Sequence, residues 1–95
     1  MTAEPTITVL IPAPLREYSG SVPEISLAAP TVRCVLDELE RSHPALHRCV
    51  CDELGRVRRH INLFVNNDHV RERDDLDTRL KTGDVLSILP AVSGG

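Results

Sequence analysis

Ninety-five residues suffice for one small domain with a modest core, and they leave no room for a separate catalytic domain. Hydrophobic residues make up 41% of the chain and charged residues 26%, which favours a folded domain over disorder. The formal net charge is -3, and basic and acidic residues are interleaved. We therefore expect no nucleic-acid partner, because no basic field is available to hold a phosphate backbone.

The N-terminal segment and the cysteines indicate the compartment. The first fourteen residues contain Glu4, no basic cluster and no long apolar run, so they predict neither a secretory signal nor a membrane anchor. Three cysteines, an odd number, fit a reducing compartment better than a disulfide framework. We expect a cytoplasmic protein without a membrane partner.

The first elements in chain order are two predicted strands. Residues 7–11 alternate between apolar and other side chains and stop at Pro12, as in a strand with one buried face. Residues 22–27 predict a second strand, which Pro23 interrupts and so places at an edge of the sheet. The two strands are expected to form a hairpin.

Two helices are predicted next. Thr31 is the expected N-cap of a helix ending near Ser42, because apolar residues then follow at i, i+3, i+4 and i+7: Val32, Val35, Leu36 and Leu39. A second helix is expected over residues 43–54, with Pro44 in its first turn and Gly55 closing it.

The second half predicts mainly strands. Residues 60–66 form a strand in which Phe64 takes the face opposite to Ile61, Leu63 and Val65. The later predictions are a turn at 66–68, a short strand at 69–70, a helical turn at 77–80, a turn at 81–84 and a last strand at 85–89.

This element order predicts an α+β fold of the β-grasp (ubiquitin-like) type. Two strands, a principal helix and further strands are typical of a mixed sheet that one helix covers on one face. The whole chain, 1–95, is expected to be a single domain. Residues 1–5 are predicted to be an N-terminal tail and residues 90–95 a flexible, functional C-terminal tail.

The end of the chain is the candidate functional site. Pro90 has no N–H for a ladder and is expected to end the sheet, leaving six residues that reach about 20 Å when extended. Terminal glycines allow a backbone to enter a narrow channel. The α-carboxylate of Gly95 is ionised at neutral pH and needs activation before it can be attacked. The expected recognition residues are Pro90, Ala91, Val92, Ser93 and Gly94. The alternative is a frayed, functionless end.

The ending resembles a known family. Residues 76–95, LDTRLKTGDVLSILPAVSGG, are similar in unbroken register to the ending of the MoaD/ThiS family of ubiquitin-like sulfur carriers. Residues 61–67, INLFVNN, and the first strand extend the resemblance along the chain. Within the family, VLIP at 9–12 together with LPAVSGG at 89–95 is most similar to the CysO-type carriers.

The resemblance implies a carrier that is itself no enzyme. An E1-like enzyme would use ATP to adenylate the Gly95 carboxylate, which would become a thiocarboxylate; the carrier itself would bind no cofactor. For the CysO type, the implied acceptor is a serine derivative on a cysteine synthase-like enzyme, and a metalloprotease would process the tail. The alternatives are a molybdopterin synthase small subunit, a ubiquitin-like protein modifier and a plain interaction module.

Other residue groups favour structural roles. His43, His47, Cys49 and Cys51 do not have the spacing of a known zinc site, so no metal is expected, and Cys49 is expected to be buried on an apolar stripe. Cys34 is expected to pack or to be partly exposed. The arginines of residues 56–73, with His60 and His69, could form a basic face that docks on an acidic partner. Because acidic residues are interleaved with them, we expect these side chains to be solvated instead. Asp77 and Thr78 are expected to cap a turn.

Overall fold

The structure is a computed structural model that describes residues 4–91. Its two α-helices are α1 (Val32–Ser42) and α2 (Pro44–Val50). Short 3-10 helices lie at Ala13–Tyr18, Val70–Glu72 and Asp75–Asp77. The strands are β1 (Thr6–Leu10), β2 (Glu24–Ala28), β3 (Ile61–Val65), β4 (Asp68–His69) and β5 (Val85–Pro90).

The five strands form one sheet in the order β2-β1-β5-β3-β4. β1 and β5 run parallel, whereas the β1–β2, β3–β5 and β3–β4 pairs are antiparallel. The predicted mixed sheet and the hairpin of the first two strands are confirmed. β2 is an edge strand, as expected, and it begins directly after Pro23.

The core lies between one face of this sheet and the helices. Alternate residues of β1, β3 and β5 point to this inner face and are buried, because successive side chains of a strand take opposite faces. The apolar stripe of α1 is buried against them. The fully buried large side chains include Ile7, Val9, Leu39, Ile61, Leu63, Leu86 and Ile88.

Helix α1 begins and ends as its sequence predicts. The Thr31 hydroxyl accepts the Cys34 backbone N–H at 3.2 Å, which satisfies one of the donors left free at a helix N-terminus. The helix ends at Ser42, and His43 separates it from Pro44, the first residue of α2. No helix within residues 4–91 is long and apolar enough to cross a membrane.

The prediction that the second helix extends to Leu54 is wrong. α2 ends at Val50, and Cys51 is extended and bridges to Val57. The carboxylate of Asp52 accepts the backbone N–H groups of Leu54 (2.9 Å) and Arg56 (3.0 Å). An aspartate that binds backbone N–H groups ahead of it stabilises a turn instead of a further helical turn.

The predicted helical turn at 77–80 is also wrong. The 3-10 turn lies earlier, at Asp75–Asp77, where Asp75 has a φ of 52°. Buried Thr78 closes this turn, as its hydroxyl donates to the Asp75 carbonyl at 2.6 Å and accepts the Asp74 N–H at 3.1 Å. The capping role of Thr78 is confirmed, and Arg79 then pairs with Thr31 beside α1.

Candidate functional site

The C-terminal end of β5 is the described part of the candidate site. Pro90 is its last strand residue, and the Ala91 N–H donates to the His60 carbonyl. The other predicted site residues lie outside the described residues: Val92, Ser93, Gly94 and Gly95. Four further residues reach about 13 Å from Ala91 when extended, at about 3.3 Å each.

The last strand ends at Pro90, as expected, but it includes this residue, which the sequence predicts to lie in the tail after the strand. Pro90 lies opposite Ile61 within the β3–β5 ladder. Along an antiparallel pair, neighbouring residues direct their N–H groups to opposite sides. Because Ala91 donates to His60, the residue directly before β3, the Pro90 nitrogen faces the other side, where β1 pairs with β5 only as far as Ser87. The missing N–H therefore costs this ladder nothing.

An apolar patch lies on the outer face of the sheet, beside this strand end. We call it the outer-face patch, and its members are Leu10, Phe64, Val85 and Leu89. Leu10 is 38% exposed and Leu89 is 46% exposed. The register places Leu10, Ser87, Phe64 and His69 in one row across four strands. Exposed apolar side chains grouped in this way are typical of a protein contact surface.

Two polar residues border the outer-face patch. The His69 ring stands edge-on to Phe64, with 5.0 Å between ring centroids. Its Nε2 lies 3.0 Å from Asn62 Oδ1, and its Nδ1 accepts the Arg71 backbone N–H at 3.1 Å. Asn62 is the direct partner of Leu89 across the ladder. This arrangement fixes a polar group opposite Leu89, which lies two residues before Ala91.

The opposite end of β5 is held by Asn66 and Asp84. Asn66 has a φ of 56°, and its amide donates to Asp84 at 3.1 Å and accepts the Val85 N–H at 3.0 Å. Partial burial alone would raise the pKa of Asp84, but the Lys81 N–H and the Asn66 amide donate to its carboxylate and bring that pKa below its ordinary value. The strand that ends at Pro90 is thus fixed at its start.

The four histidines and cysteines of residues 43–51 are not gathered at one point in the structure. Within residues 4–91, no three His, Cys, Asp or Glu side chains come together as metal ligands would. Cys49, expected to be buried, is half-buried, whereas Cys51 is the buried thiol, because α2 ends before it and turns it into the core. Burial raises the pKa of the Cys51 thiol to about 11. Cys34 is partly exposed, as expected.

The arginines of the segment before β3 bind other groups of the same chain. Arg56 Nε lies 3.2 Å from Asp52 Oδ2, and Arg58 Nε donates to the Arg48 carbonyl at 2.8 Å. The pKa of the Asp52 carboxyl lies below its ordinary value, chiefly because the Arg56 backbone N–H donates to it. These arginines stabilise the loop after α2.

Sequence reasoning missed the outer-face patch. The period-2 alternation that buries Leu63 and Val65 also turns Phe64 outward, and this signal was available. The contact between His69 and Asn62 depends on the β3–β4 register, which residue types alone do not give.

Comparison with known protein families matches residues 9–95 of this chain to the ThiS family. The chain belongs to this family. The match covers all of β5 and extends to Gly95, so the ending that resembles sulfur carriers lies within it.

Three relatives show which kinds of family member this chain resembles. "Sulfur carrier protein CysO" of Mycobacterium tuberculosis is 34% identical over 91 residues, or 94% of this chain and 98% of the relative. CysO in the BexX/CysO complex of Amycolatopsis orientalis is 38% identical, with a TM-score of 0.81 over 94% of this chain and 99% of that one. Small archaeal modifier protein 1 of Methanosarcina acetivorans is 34% identical, with a TM-score of 0.84 over 99% of this chain and 100% of that one.

These relatives confirm the β-grasp fold of this ThiS family member and its similarity to CysO-type sulfur carriers. Their similarity to this chain supports its classification as a sulfur carrier protein. The chemistry at Gly95, the partner enzymes and the pathway remain predictions.

Proposed function

We propose that this ThiS family member is a sulfur carrier whose Gly95 carboxylate is adenylated by an E1-like enzyme and converted to a thiocarboxylate. The observation on which this rests is the family match through Gly95 in a chain whose last strand ends beside an exposed apolar patch. A partner seated on the outer-face patch has the start of the tail, Ala91, at the rim of its contact area. The four remaining residues then have about 13 Å of reach into an active site.

The chemistry follows from the weak electrophilicity of a carboxylate. A Gly95 carboxylate oxygen attacks the α-phosphorus of ATP and displaces pyrophosphate, which gives an acyl-adenylate. A sulfide or persulfide sulfur then attacks the acyl carbon, and AMP leaves with the bonding electrons. With sulfide the product is the thiocarboxylate directly, whereas a persulfide gives an acyl disulfide that a thiol must reduce. The carrier supplies the acyl group and the fit, and the partner supplies the catalytic groups.

The CysO-type relatives favour cysteine synthesis as the pathway. There, on a cysteine synthase-like enzyme, the thiocarboxylate sulfur becomes bonded to the β-carbon of an activated serine derivative, whose β C–O bond breaks so that the activated oxygen leaves with the bonding electrons. An acyl shift from sulfur to nitrogen leaves cysteine amide-linked to Gly95, and a metalloprotease releases it by hydrolysis. The A. orientalis relative was solved as a complex with BexX, which supports the general expectation of a partner enzyme.

The decisive test is the intact mass of the purified chain after incubation with ATP, sulfide and E1-like enzymes from the same genome. We expect a gain equal to the replacement of one oxygen by sulfur. A variant with one alanine added after Gly95 is the matched control, because it keeps the domain and moves the terminal carboxylate. Absence of the mass gain with every activating enzyme would overturn the proposal.

A protein modifier is the second candidate, favoured by the similarity to small archaeal modifier protein 1. In that case the activated Gly95 carbonyl would be attacked by a lysine amine and not by sulfur. No Lys or Arg follows Lys81, so trypsin would leave residues 82–95 attached to each modified lysine. Peptides with this remnant in a cell lysate would favour the modifier, and a thiocarboxylate without them would favour the carrier. Sulfur transfer to a molybdopterin precursor in place of a serine derivative would indicate a molybdopterin synthase subunit.

A further inference from the structure

His69 uses both of its ring nitrogens, and this determines where its proton lies. Nδ1 lies 3.1 Å from the Arg71 backbone nitrogen, and a backbone N–H can only donate. Nδ1 is therefore the acceptor and has no hydrogen. In a neutral imidazole the other nitrogen then has the proton, so Nε2–H is a donor.

The orientation of the Asn62 amide follows from this tautomer. Nε2–H of His69 needs an acceptor, and the Asn62 atom 3.0 Å away is Oδ1. The two amide hydrogens on Nδ2 must then point away from His69. Within residues 4–91 the Asn62 Nδ2 has no acceptor, while Asn62 is only partly buried.

We infer that Asn62 is a specificity-determining residue for the activating partner, and that His69 is the positioning residue that directs its amide donors at that partner. The partner would supply an oxygen acceptor, a backbone carbonyl or a carboxylate, opposite Nδ2. This inference rests on the proposed function, and it deepens it by naming a polar contact of the same surface.

The orientation of the Asn62 amide affects partner binding because Asn62 lies beside the outer-face patch. Asn62 lies opposite Leu89 in the ladder, and Leu89 belongs to the outer-face patch. A partner that covers Leu89 and Phe64 excludes water from the same area. A donor left without an acceptor there would weaken binding about tenfold, so an oriented amide discriminates between partners that supply an acceptor and those that do not.

The first test measures the tautomer in the wild-type protein. Nitrogen-15 chemical shifts and long-range couplings of the His69 ring, recorded at about pH 8.5 where imidazoles are in general neutral, distinguish the two tautomers. We expect the Nε2–H form. The Nδ1–H form would overturn the inference, because the acceptor for Arg71 and the orientation of Asn62 would both be lost.

The second test changes the donors and keeps the shape. Asn62→Asp retains an oxygen for His69 Nε2–H but replaces the amide donors with an oxygen. We expect the KM for this carrier in adenylation to rise about tenfold at unchanged kcat, because the lost interaction is one of binding. The matched control is Asn67→Asp, the same change of charge at an exposed turn residue at the far end of β3. Equal KM values for the two variants would overturn the inference.

The third test separates positioning from folding. His69→Asn can still accept the Arg71 N–H but is too short to reach Asn62, whereas His69→Gln can place an amide donor near the former Nε2. We expect His69→Asn to raise the KM and His69→Gln to restore it, with Tm measured for both. A KM change that follows Tm would assign His69 a structural role only. If wild-type carrier gains no sulfur in the mass assay, the proposed function fails, a result distinct from these.

Discussion

The two faces of the sheet differ in what their side chains do. On the inner face, Ile7, Leu63 and Ile88 are almost completely buried beneath α1. On the outer face, residues of the same strands remain exposed, and Leu89 stands directly beside Ile88 with 46% of its surface accessible. Apolar residues thus occur on both faces, but the inner ones contribute most of the burial on folding.

This difference separates stability from function along single strands. Side chains one residue apart lie in different environments: the inner set is buried in the core, and the outer set is accessible to a partner. The following predictions test that separation, starting with the largest expected effect.

The strongest test uses neighbours on β5. Ile88→Ala removes buried methyl groups and leaves a cavity, so we expect a loss of about 2–5 kcal/mol in the free energy of unfolding. Leu89→Ala should change it by no more than about 0.5 kcal/mol. Denaturant titration measures both, and adenylation kinetics should show a raised KM for Leu89→Ala alone. Equal destabilisation of the two variants would contradict the division between the faces.

A medium effect is expected at the start of α1, which covers the inner face. Thr31→Ala removes the acceptor for the Cys34 N–H and should cost about 1 kcal/mol of stability. Thr31→Ser keeps the hydroxyl and is the control. Neither variant should alter the KM for adenylation in folded protein. An altered KM would mean that the helical side also contacts the partner.

The smallest effect concerns the pH dependence of stability that arises from the Asp84 carboxylate directly before β5. The folded-state pKa of Asp84 is depressed, so its contribution to stability is present above the unfolded-state pKa, about 3.9, and is lost as pH falls through the lower folded-state value. We expect Asp84→Asn to lower Tm at neutral pH and the difference from wild type to shrink towards pH 2. A difference independent of pH would show that the carboxylate charge is not responsible.

The sequence predicts the parts of the fold that depend on periodicity. The stripe from Val32 to Leu39 gives α1, and the alternation of residues 61–65 gives β3 and its faces. Sequence-based prediction fails where a side chain binds a nearby backbone group or where a residue takes an unusual backbone conformation. Asp52 stabilises a turn that shortens α2, and Asp75 takes a left-handed conformation that moves the 3-10 turn. The family ending predicts the candidate site, but the outer-face contacts of His69 require the strand register.

The direction of the Pro90 nitrogen has a consequence for solubility. Beyond Ser87, the side of β5 that faces β1 has no partner strand within the described chain, and an unpaired strand edge is a template for aggregation. A proline there offers no N–H to an incoming strand and places a ring in its path. Pro90 thus disfavours unwanted strand addition at this edge of the sheet.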